Sequence, residues 1–229
     1  MKDIFGKALL DFFQGQFQPP LFLHNEYGDP EEMPVESYFY GFEDYSELEI
    51  FALQQAYGKI LDVGAASGRH ALHLQENHQD ITALDISALC GQLMRQQGVK
   101  QVLIQDVMGY EGVEYDSILM LMNGIGIAGD LDGLEKLLIH LKKIVKPAGQ
   151  LLVDSTDISY LYEGAVRPEE KYFGQLVFHY EYRGEEDEPF RWLYIDQQRL
   201  MDITNKCGWN CQVIFEDETD AYLARLTKK

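Results

Sequence analysis

The alternation of apolar and polar positions sets the first expectations. Over residues 3–13, Ile4, Phe5, Ala8, Leu9, Phe12 and Phe13 fall on one helical face. The charges beside that face are mixed rather than basic, so this helix is expected to pack on the protein body and not on a membrane. Residues 14–43 read as loop, with Pro19, Pro20, Pro30 and Pro34 set among aromatics. Asp44 or Ser46 can cap a helix that runs to about residue 57.

From Lys59 the rhythm changes. Apolar runs at 59–63, 81–84, 101–104, 115–122 and 151–153 alternate with helical stretches at 69–77, 87–97 and 131–145. Alternation of this kind implies crossovers and a parallel sheet, and continuous apolar strands imply a sheet covered on both faces. Near the end, 172–182 and 190–195 read as strands around an acidic turn. Asp196 can cap a helix to about residue 207. Residues 209–215 and 221–226 then read as an antiparallel hairpin. The predicted fold is α/β: a doubly wound, mostly parallel seven-stranded sheet with a C-terminal antiparallel hairpin and helices on both faces. An N-terminal helical cap and an inserted β-hairpin are added to it. One domain, 1–229, is expected, divided into a cap (1–44), a core (45–157), an insertion (158–195) and a C-terminal helix and hairpin (196–229).

Composition narrows the function. Nineteen Lys plus Arg against 38 Asp plus Glu give a formal net charge of −19. That balance opposes nucleic acid, which needs a basic footprint, and anionic lipid. Residues 1–57 carry 2 basic and 11 acidic side chains, so nearly half the surplus lies in the first quarter. A solubilising surface accounts for it, and a charged rim beside a site for a cationic substrate is the sharper alternative. Three cysteines make no disulfide framework, and no Cys/His set completes a zinc site. Lys2, Asp3, Lys7 and Asp11 interrupt any leader-like apolar stretch, and no run of about 20 apolar residues exists. A cytoplasmic protein with no membrane partner is expected.

The chemistry concentrates at strand ends. The run 60–68, Ile-Leu-Asp-Val-Gly-Ala-Ala-Ser-Gly, reads as a strand, a glycine-rich turn and a helix start. Gly64 and Gly68 leave room for close backbone approach, and free amides at the helix start favour a negative group. Asp85 ends the next strand, 21 residues after Gly64, where an acid can accept both hydroxyls of a ribose. Asp106 ends the third, followed by Val107. A carboxylate there can take an adenine amino group while the apolar neighbour covers the ring. Each aspartate alone is more often a loop residue or helix cap; the three together point to a nucleoside.

The spacing Gly64-Ala-Ala-Ser-Gly68, with Asp62 two residues earlier, resembles the class I S-adenosylmethionine-dependent methyltransferases rather than a nicotinamide fold, which usually shows Gly-x-Gly-x-x-Gly. The resemblance covers about residues 45–157 and 196–229. It includes 115–126, Tyr-Asp-Ser-Ile-Leu-Met-Leu-Met-Asn-Gly-Ile-Gly, and the Pro147-Ala-Gly149 turn, where Ala148 replaces a frequent glycine. It lacks the middle glycine common in the family, which Ala66 replaces. What the resemblance implies is S-adenosyl-L-methionine as cofactor, held by Asp62, Gly64, Ala65, Gly68, Asp85, Ile86, Asp106, Val107, Met122 and Asn123. In that scheme Asp62 holds the methionine ammonium, Asp85 the ribose and Asp106 the adenine, while carbonyls near Met122 and Asn123 face the amine.

The methyl acceptor is expected to be a small molecule, neutral or cationic, and no metal is expected. A sulfonium supplies its own leaving group, so alignment and water exclusion matter more than a triad. Acceptor-side candidates are Glu36, Tyr38, Phe39, Tyr40, Asn123, Asp157, Tyr160, Tyr162 and His179. Tyr38, Asn123 and His179 are the ones considered for catalysis. Packing is the plainer role for the aromatics, and an ordinary strand position for His179. His70 and His73 share a helical face, but no further ligand is evident. Residues 155–159, Ser-Thr-Asp-Ile-Ser, read as a turn or cap. A nucleoside-binding module without turnover and a nicotinamide-dependent oxidoreductase are the competing readings. The absence of a Pro-Pro-aromatic element after Asn123 speaks against nucleobase methylation.

Overall fold

A computed structural model describes residues 2–162 and 170–229; part of the 158–195 insertion therefore lies outside the described residues. The chain forms two compact units. One comprises Met1–Tyr45, Asp62–Tyr110 and Val177–Phe190; the other comprises Ser46–Leu61, Glu111–Leu176 and Arg191–Lys229.

The first unit contains helix α1 (Ile4–Phe13), strands β1 (Leu21–Asn25) and β2 (Glu31–Glu32), and 3-10 turns at Val35–Phe39 and Phe42–Asp44. After β3 (Lys59–Val63) come α3 (Arg69–Glu76), β4 (Asp80–Asp85), α4 (Ala88–Gln97), β5 (Val102–Ile104) and a 3-10 turn at Val107–Gly109. Helix α2 (Glu47–Gln55) belongs to the second unit. So do β6 (Tyr115–Met120), a 3-10 turn at Gly124–Ala128, α5 (Leu131–Ile144) and β7 (Val145–Thr156). β8 (Gln175–Tyr182) and β9 (Glu185–Glu186) return, from Val177 on, to the first unit, while β10 (Phe190–Leu193) from Arg191, α6 (Gln197–Lys206), β11 (Trp209–Glu216) and β12 (Ala221–Lys228) belong to the second. Seven strands form one sheet in the order β11-β12-β7-β6-β3-β4-β5. β4 and β5 pair parallel, as do β6 and β7, whereas β12 is antiparallel to β7 and β11 to β12. This is the α/β sheet and terminal hairpin that the apolar rhythm predicted. Among the described residues no helix is long and apolar enough to cross a membrane.

Helix α1 seats on α4. Ile4, Ala8 and Leu9 are buried against Cys90 and Leu93, with Leu21, Val35 and Tyr182 in the same cluster. Burying one such Leu or Ile contributes about 1.5–3 kcal/mol. In the second unit the core is built around Tyr115, Trp209 and Tyr222, all essentially inaccessible. Their polar atoms are satisfied: Trp209 Nε1 donates to the Leu138 carbonyl at 3.2 Å, and Tyr222 Oη donates to the Ile195 carbonyl at 2.7 Å.

Two expectations are corrected. Residues 14–43 are not all loop, because β1 pairs antiparallel with β8 from Leu21↔Tyr182 to Asn25↔Phe178. The predicted insertion strand thus joins an N-terminal strand in a second sheet, ordered β10-β8-β1-β2, with β9 on β8. Only three apolar residues in a row, Leu21-Phe22-Leu23, announce β1, and its partner lies more than 150 residues away. No local pattern can report such a pairing. The second correction is the length of β7, which runs through Pro147 and Gly149 instead of starting after them. The register against β6 jumps between Tyr115↔Val145 and Ser117↔Gln150, so the extra residues form an irregularity in which Pro147 has no ladder bond to lose. A Cβ on Gly149 would lie 2.9 Å from the carbonyl oxygens of Tyr115 and Asp116, which excludes any larger residue there.

Of the two predicted caps, Asp44 and Ser46, it is Ser46 that starts helix α2. A capping box closes it: the Glu49 amide donates to Ser46 Oγ at 3.2 Å, and the Ser46 amide donates to Glu49 Oε2 at 3.1 Å. Ser46→Ala is expected to lower stability by about 1 kcal/mol, read as a shift in the urea midpoint at unchanged slope.

Candidate active site

The turn after β3 is the centre of the first unit. Three of its five residues take left-handed backbone: Gly64 at φ 74°, Ala66 at φ 50° and Gly68 at φ 84°. The Gly64 and Ala65 amides donate to the Leu84 carbonyl at 2.9 and 3.1 Å. A Cβ at Gly64 would enter open space, so this position faces outward and its constraint is the left-handed φ. Gly68 is different. It caps α3, and a Cβ there would lie 2.8 Å from Met94 Cγ, so its glycine serves the packing of α3 beside α4.

Asp85 holds this turn. Its Oδ2 accepts the Ala66 amide and its Oδ1 the Ser87 amide, both at 2.8 Å. Burial pushes the carboxyl up, and these amides with that of Ile86 pull it back toward ionisation. Ser87 Oγ caps α4 and donates to Asp3 Oδ2, so the first turn of α1 is tied to the residue after Asp85. Strand β5 runs beside β4 with Asp85 opposite Ile104, and the Gln105 amide donates to the Asp85 carbonyl at 3.0 Å. Asp106 follows at once. It is exposed, and its Oδ1 accepts the Met108 amide at 2.9 Å. Val107 behind it is buried, and Ile86 is largely exposed.

Asp62, 3% exposed, is the last residue but one of β3. Burial pushes its carboxyl up, and the nearby Asp85 charge adds to this, while His70 and Arg69 oppose it. Its Oδ2 is buried with no hydrogen-bond partner. Residues 38–45 are bound to the same turn and helix. Ser67 Oγ donates to the Tyr38 carbonyl. Phe42 stacks on His73 at 4.0 Å, Tyr45 meets His70 edge-on at 5.3 Å, and the Arg69 guanidinium lies 4.4 Å over the Tyr45 ring. His70 and His73 therefore pack against aromatics. The first unit thus brings together Asp62, Gly64, Ala65, Gly68, Asp85, Ile86, Asp106 and Val107.

Met122 and Asn123 lie in the second unit, in a turn that follows β6. Both are left-handed, at φ 60° and 57°, a conformation that Asn accepts readily and that costs Met122 about 1–2 kcal/mol. The Asn123 amide donates to Asp154 Oδ1 at 2.8 Å, and its Oδ1 accepts Ser155 Oγ at 2.8 Å. Ser155 Oγ also accepts the Ile195 amide at 3.0 Å. Burial pushes the Asp154 carboxyl up to about 7, opposed by the Asn123 and Gly124 amides and reinforced by Glu49. Trp192 packs on Gly126, where a Cβ would fall within 2.1 Å of its Nε1.

The remaining acceptor-side candidates scatter. Tyr38 packs edge-on to Phe5 and Phe39 stacks on Phe12, so both serve the α1 cluster. Glu36 and Tyr40 are exposed. His179 lies in β8 opposite His24, the two rings stacked at 4.4 Å, with Glu186 3.8 Å away. Asp157 Oδ1 accepts the Ser159 amide, Tyr160 is half exposed, and Tyr162 Oη donates to the Phe173 carbonyl. Asp154 escaped the sequence reading, although it follows the predicted strand 151–153 just as Asp85 and Asp106 follow theirs. Asp3 was missed because its partner Ser87 is distant in sequence.

A doubly wound sheet with acids at successive strand ends and a left-handed glycine turn defines a nucleoside-binding α/β protein. The chain is 37% identical to a SAM-dependent methyltransferase from Bacteroides fragilis, crystallised with S-adenosyl-L-homocysteine, over 99% of this chain and 95% of that one, with a TM-score of 0.92. It belongs to the class I S-adenosylmethionine-dependent methyltransferases. The fold is shared with the CcbJ methyltransferase of Streptomyces caelestis (13% identity, 80% and 94% coverage, TM-score 0.63). It is also shared with CalS10, an amino pentose methyltransferase of Micromonospora echinaspora (12%, 89% and 100%, 0.58). No family model and no curated protein matches the chain.

The residues of the first unit fit that family's cofactor. An ammonium donor would satisfy the orphaned Asp62 oxygen, and Asp85 is already fixed by backbone amides. Because burial raises Asp62, the stability it contributes is present below the ordinary carboxylate range and is lost as pH rises through its folded value. Asp62→Asn should therefore melt higher than the wild type at pH 8, by thermal unfolding without ligand, while losing affinity for S-adenosylhomocysteine.

Proposed function

We propose that this protein binds S-adenosyl-L-methionine and transfers its methyl group to a small-molecule acceptor that is neutral or cationic. The observation that carries the reading is the buried, partnerless Asp62 oxygen beside a left-handed glycine turn that Asp85 holds. When bound, the cofactor supplies a methyl on a cationic sulfur, ready for in-line displacement.

The chain's own residues do the rest. Asp62 takes the methionine ammonium. The Gly64–Ala65 backbone passes beside the methionine, with Gly68 closing the turn. Asp85 accepts the ribose hydroxyls through lone pairs not used by the Ala66 and Ser87 amides. Asp106 takes the adenine amino group, and Val107 and Ile86 give the ring apolar contact. A cation loses less in an acidic surrounding than in a neutral one, so the surplus of 11 acidic over 2 basic residues in 1–57 supports a neutral or cationic acceptor. Three free cysteines accord with a reducing, cytoplasmic setting.

Calorimetry with S-adenosylmethionine and S-adenosylhomocysteine tests the reading. Both should bind, and Asp85→Ala should weaken binding on the order of ten- to a hundredfold, the worth of hydrogen bonds to a charged group. Asp85→Asn, melted in parallel, separates lost binding from lost folding. Failure of both ligands to bind the wild type would sink the proposal.

A further inference from the structure

Helix α1 meets the start of α4 through one acid, and both helices lie in the first unit. Asp3 caps α1, its Oδ1 accepting the Gly6 amide at 3.0 Å. Its Oδ2 accepts the hydroxyl of Ser87. Ser87 Oγ in turn accepts the Cys90 amide at 2.8 Å and so caps α4, while the Ser87 amide donates to Asp85 Oδ1 at 2.8 Å. Asp85 Oδ2 accepts the Ala66 amide of the glycine turn. Hydrogen bonds therefore run without a break from Asp3 through Ser87 and Asp85 to Ala66. A serine hydroxyl rotates about its Cβ–Oγ bond until an acceptor fixes its proton, and Asp3 is that acceptor here.

Gly6 shows how close the approach is. A Cβ there would fall 2.6 Å from both Asp3 Oδ1 and Ser87 Oγ. Glycine is a poor residue inside a helix, and its missing side chain leaves the space in which these groups meet. Packing sets Asp3 as well, since Ile4, Ala8 and Leu9 behind it bury against Cys90 and Leu93 of α4. The amide-rich start of α4 favours both carboxylates.

Resting on the methyl-transfer reading above, we propose that Asp3 is a positioning residue for the nucleoside site: by gripping Ser87 it holds the Ser87 amide against Asp85 Oδ1, and so fixes which lone pairs of Asp85 are left to the ribose. It acts through Ser87 and need not touch the cofactor, and α1 serves as the brace of the site. The charge of Asp3 works in the opposite sense, because it makes Asp85 harder to ionise. A role through charge alone predicts tighter binding when Asp3 is neutralised; a role through position predicts weaker binding.

Asp3→Asn separates the two. Asn caps a helix about as well as Asp, so Gly6 keeps its acceptor, but the side facing Ser87 becomes an NH2 donor. Calorimetry with S-adenosylhomocysteine should show affinity lowered on the order of five- to tenfold, the worth of about one hydrogen bond. In a Ser87→Ala background the same change should cost no further affinity, since its route runs through Ser87. Gly6→Ala should also weaken binding, although Ala is the better helix former. Without ligand, hydrogen exchange should find the Ala66 and Ser87 amides less protected in Asp3→Asn than in wild type. Should Asp3→Asn fail to fold, Gly6→Ala decides by the same two measurements. Unchanged or tighter binding by Asp3→Asn, an equal loss in the Ser87→Ala background, or unchanged amide protection overturns the positioning role alone. Failure of the wild type itself to bind overturns the methyl-transfer reading, and this proposal with it.

Discussion

A buried carboxylate that accepts two backbone amides is the interaction on which the first unit depends. Asp85 reaches from the end of β4 to Ala66 in the glycine turn and to Ser87 at the start of α4. One side chain therefore fixes the conformation of one turn, the origin of one helix and, through Ser87 and Asp3, the anchoring of α1. Leaving such amides buried and unpaired would cost about 1–3 kcal/mol each. The acid itself dislikes its surroundings, as its raised ionisation shows. The arrangement persists because the backbone amides need the acceptor as much as the acid needs the donors.

The second unit repeats the device. Asp154 clamps the left-handed residues after β6 as Asp85 clamps Ala66, and in both cases the strained residue carrying the bonded amide is not glycine. Strain kept at turns of this kind is a cost that a binding site tolerates, because a turn with one allowed shape presents its backbone groups without searching for them. Strand ends suit this role. A parallel strand delivers its last side chains to the edge where the next loop begins, and a short acid there can reach the loop's amides directly.

The N-terminal quarter shows how a surface surplus and a packed layer coexist. Its apolar residues, Ile4, Ala8, Leu9, Leu21 and Val35, face α4 and the β1–β8 ladder, while Glu31 and Glu32 stay exposed. The segment 38–45 is pinned through Ser67, His73 and Arg69, so its aromatic rings serve contacts within the unit. His179, which stood out as a lone strand histidine, is stacked on His24 and is thus part of a ladder.

By itself the sequence determined the alternating elements from Lys59 onward, the glycine turn, and Asp62, Asp85 and Asp106 at strand ends. Periodicity and short spacings are local properties, and a chain displays them before it folds. The helix starts at Ser46, Ser87 and Asp196 were legible for the same reason, since a cap bonds three residues ahead. Tertiary structure alone decided the pairing of β1 with β8, the irregular passage of β7 through Pro147, the packing duty of Gly68 and the grip of Asp154 on Asn123. Each joins residues separated by 26 to more than 150 positions, or depends on the space left by a neighbour. Burial then set what the acids can do: it orphaned one oxygen of Asp62 and raised Asp154 toward neutrality, and no count of charges along the chain contains that information.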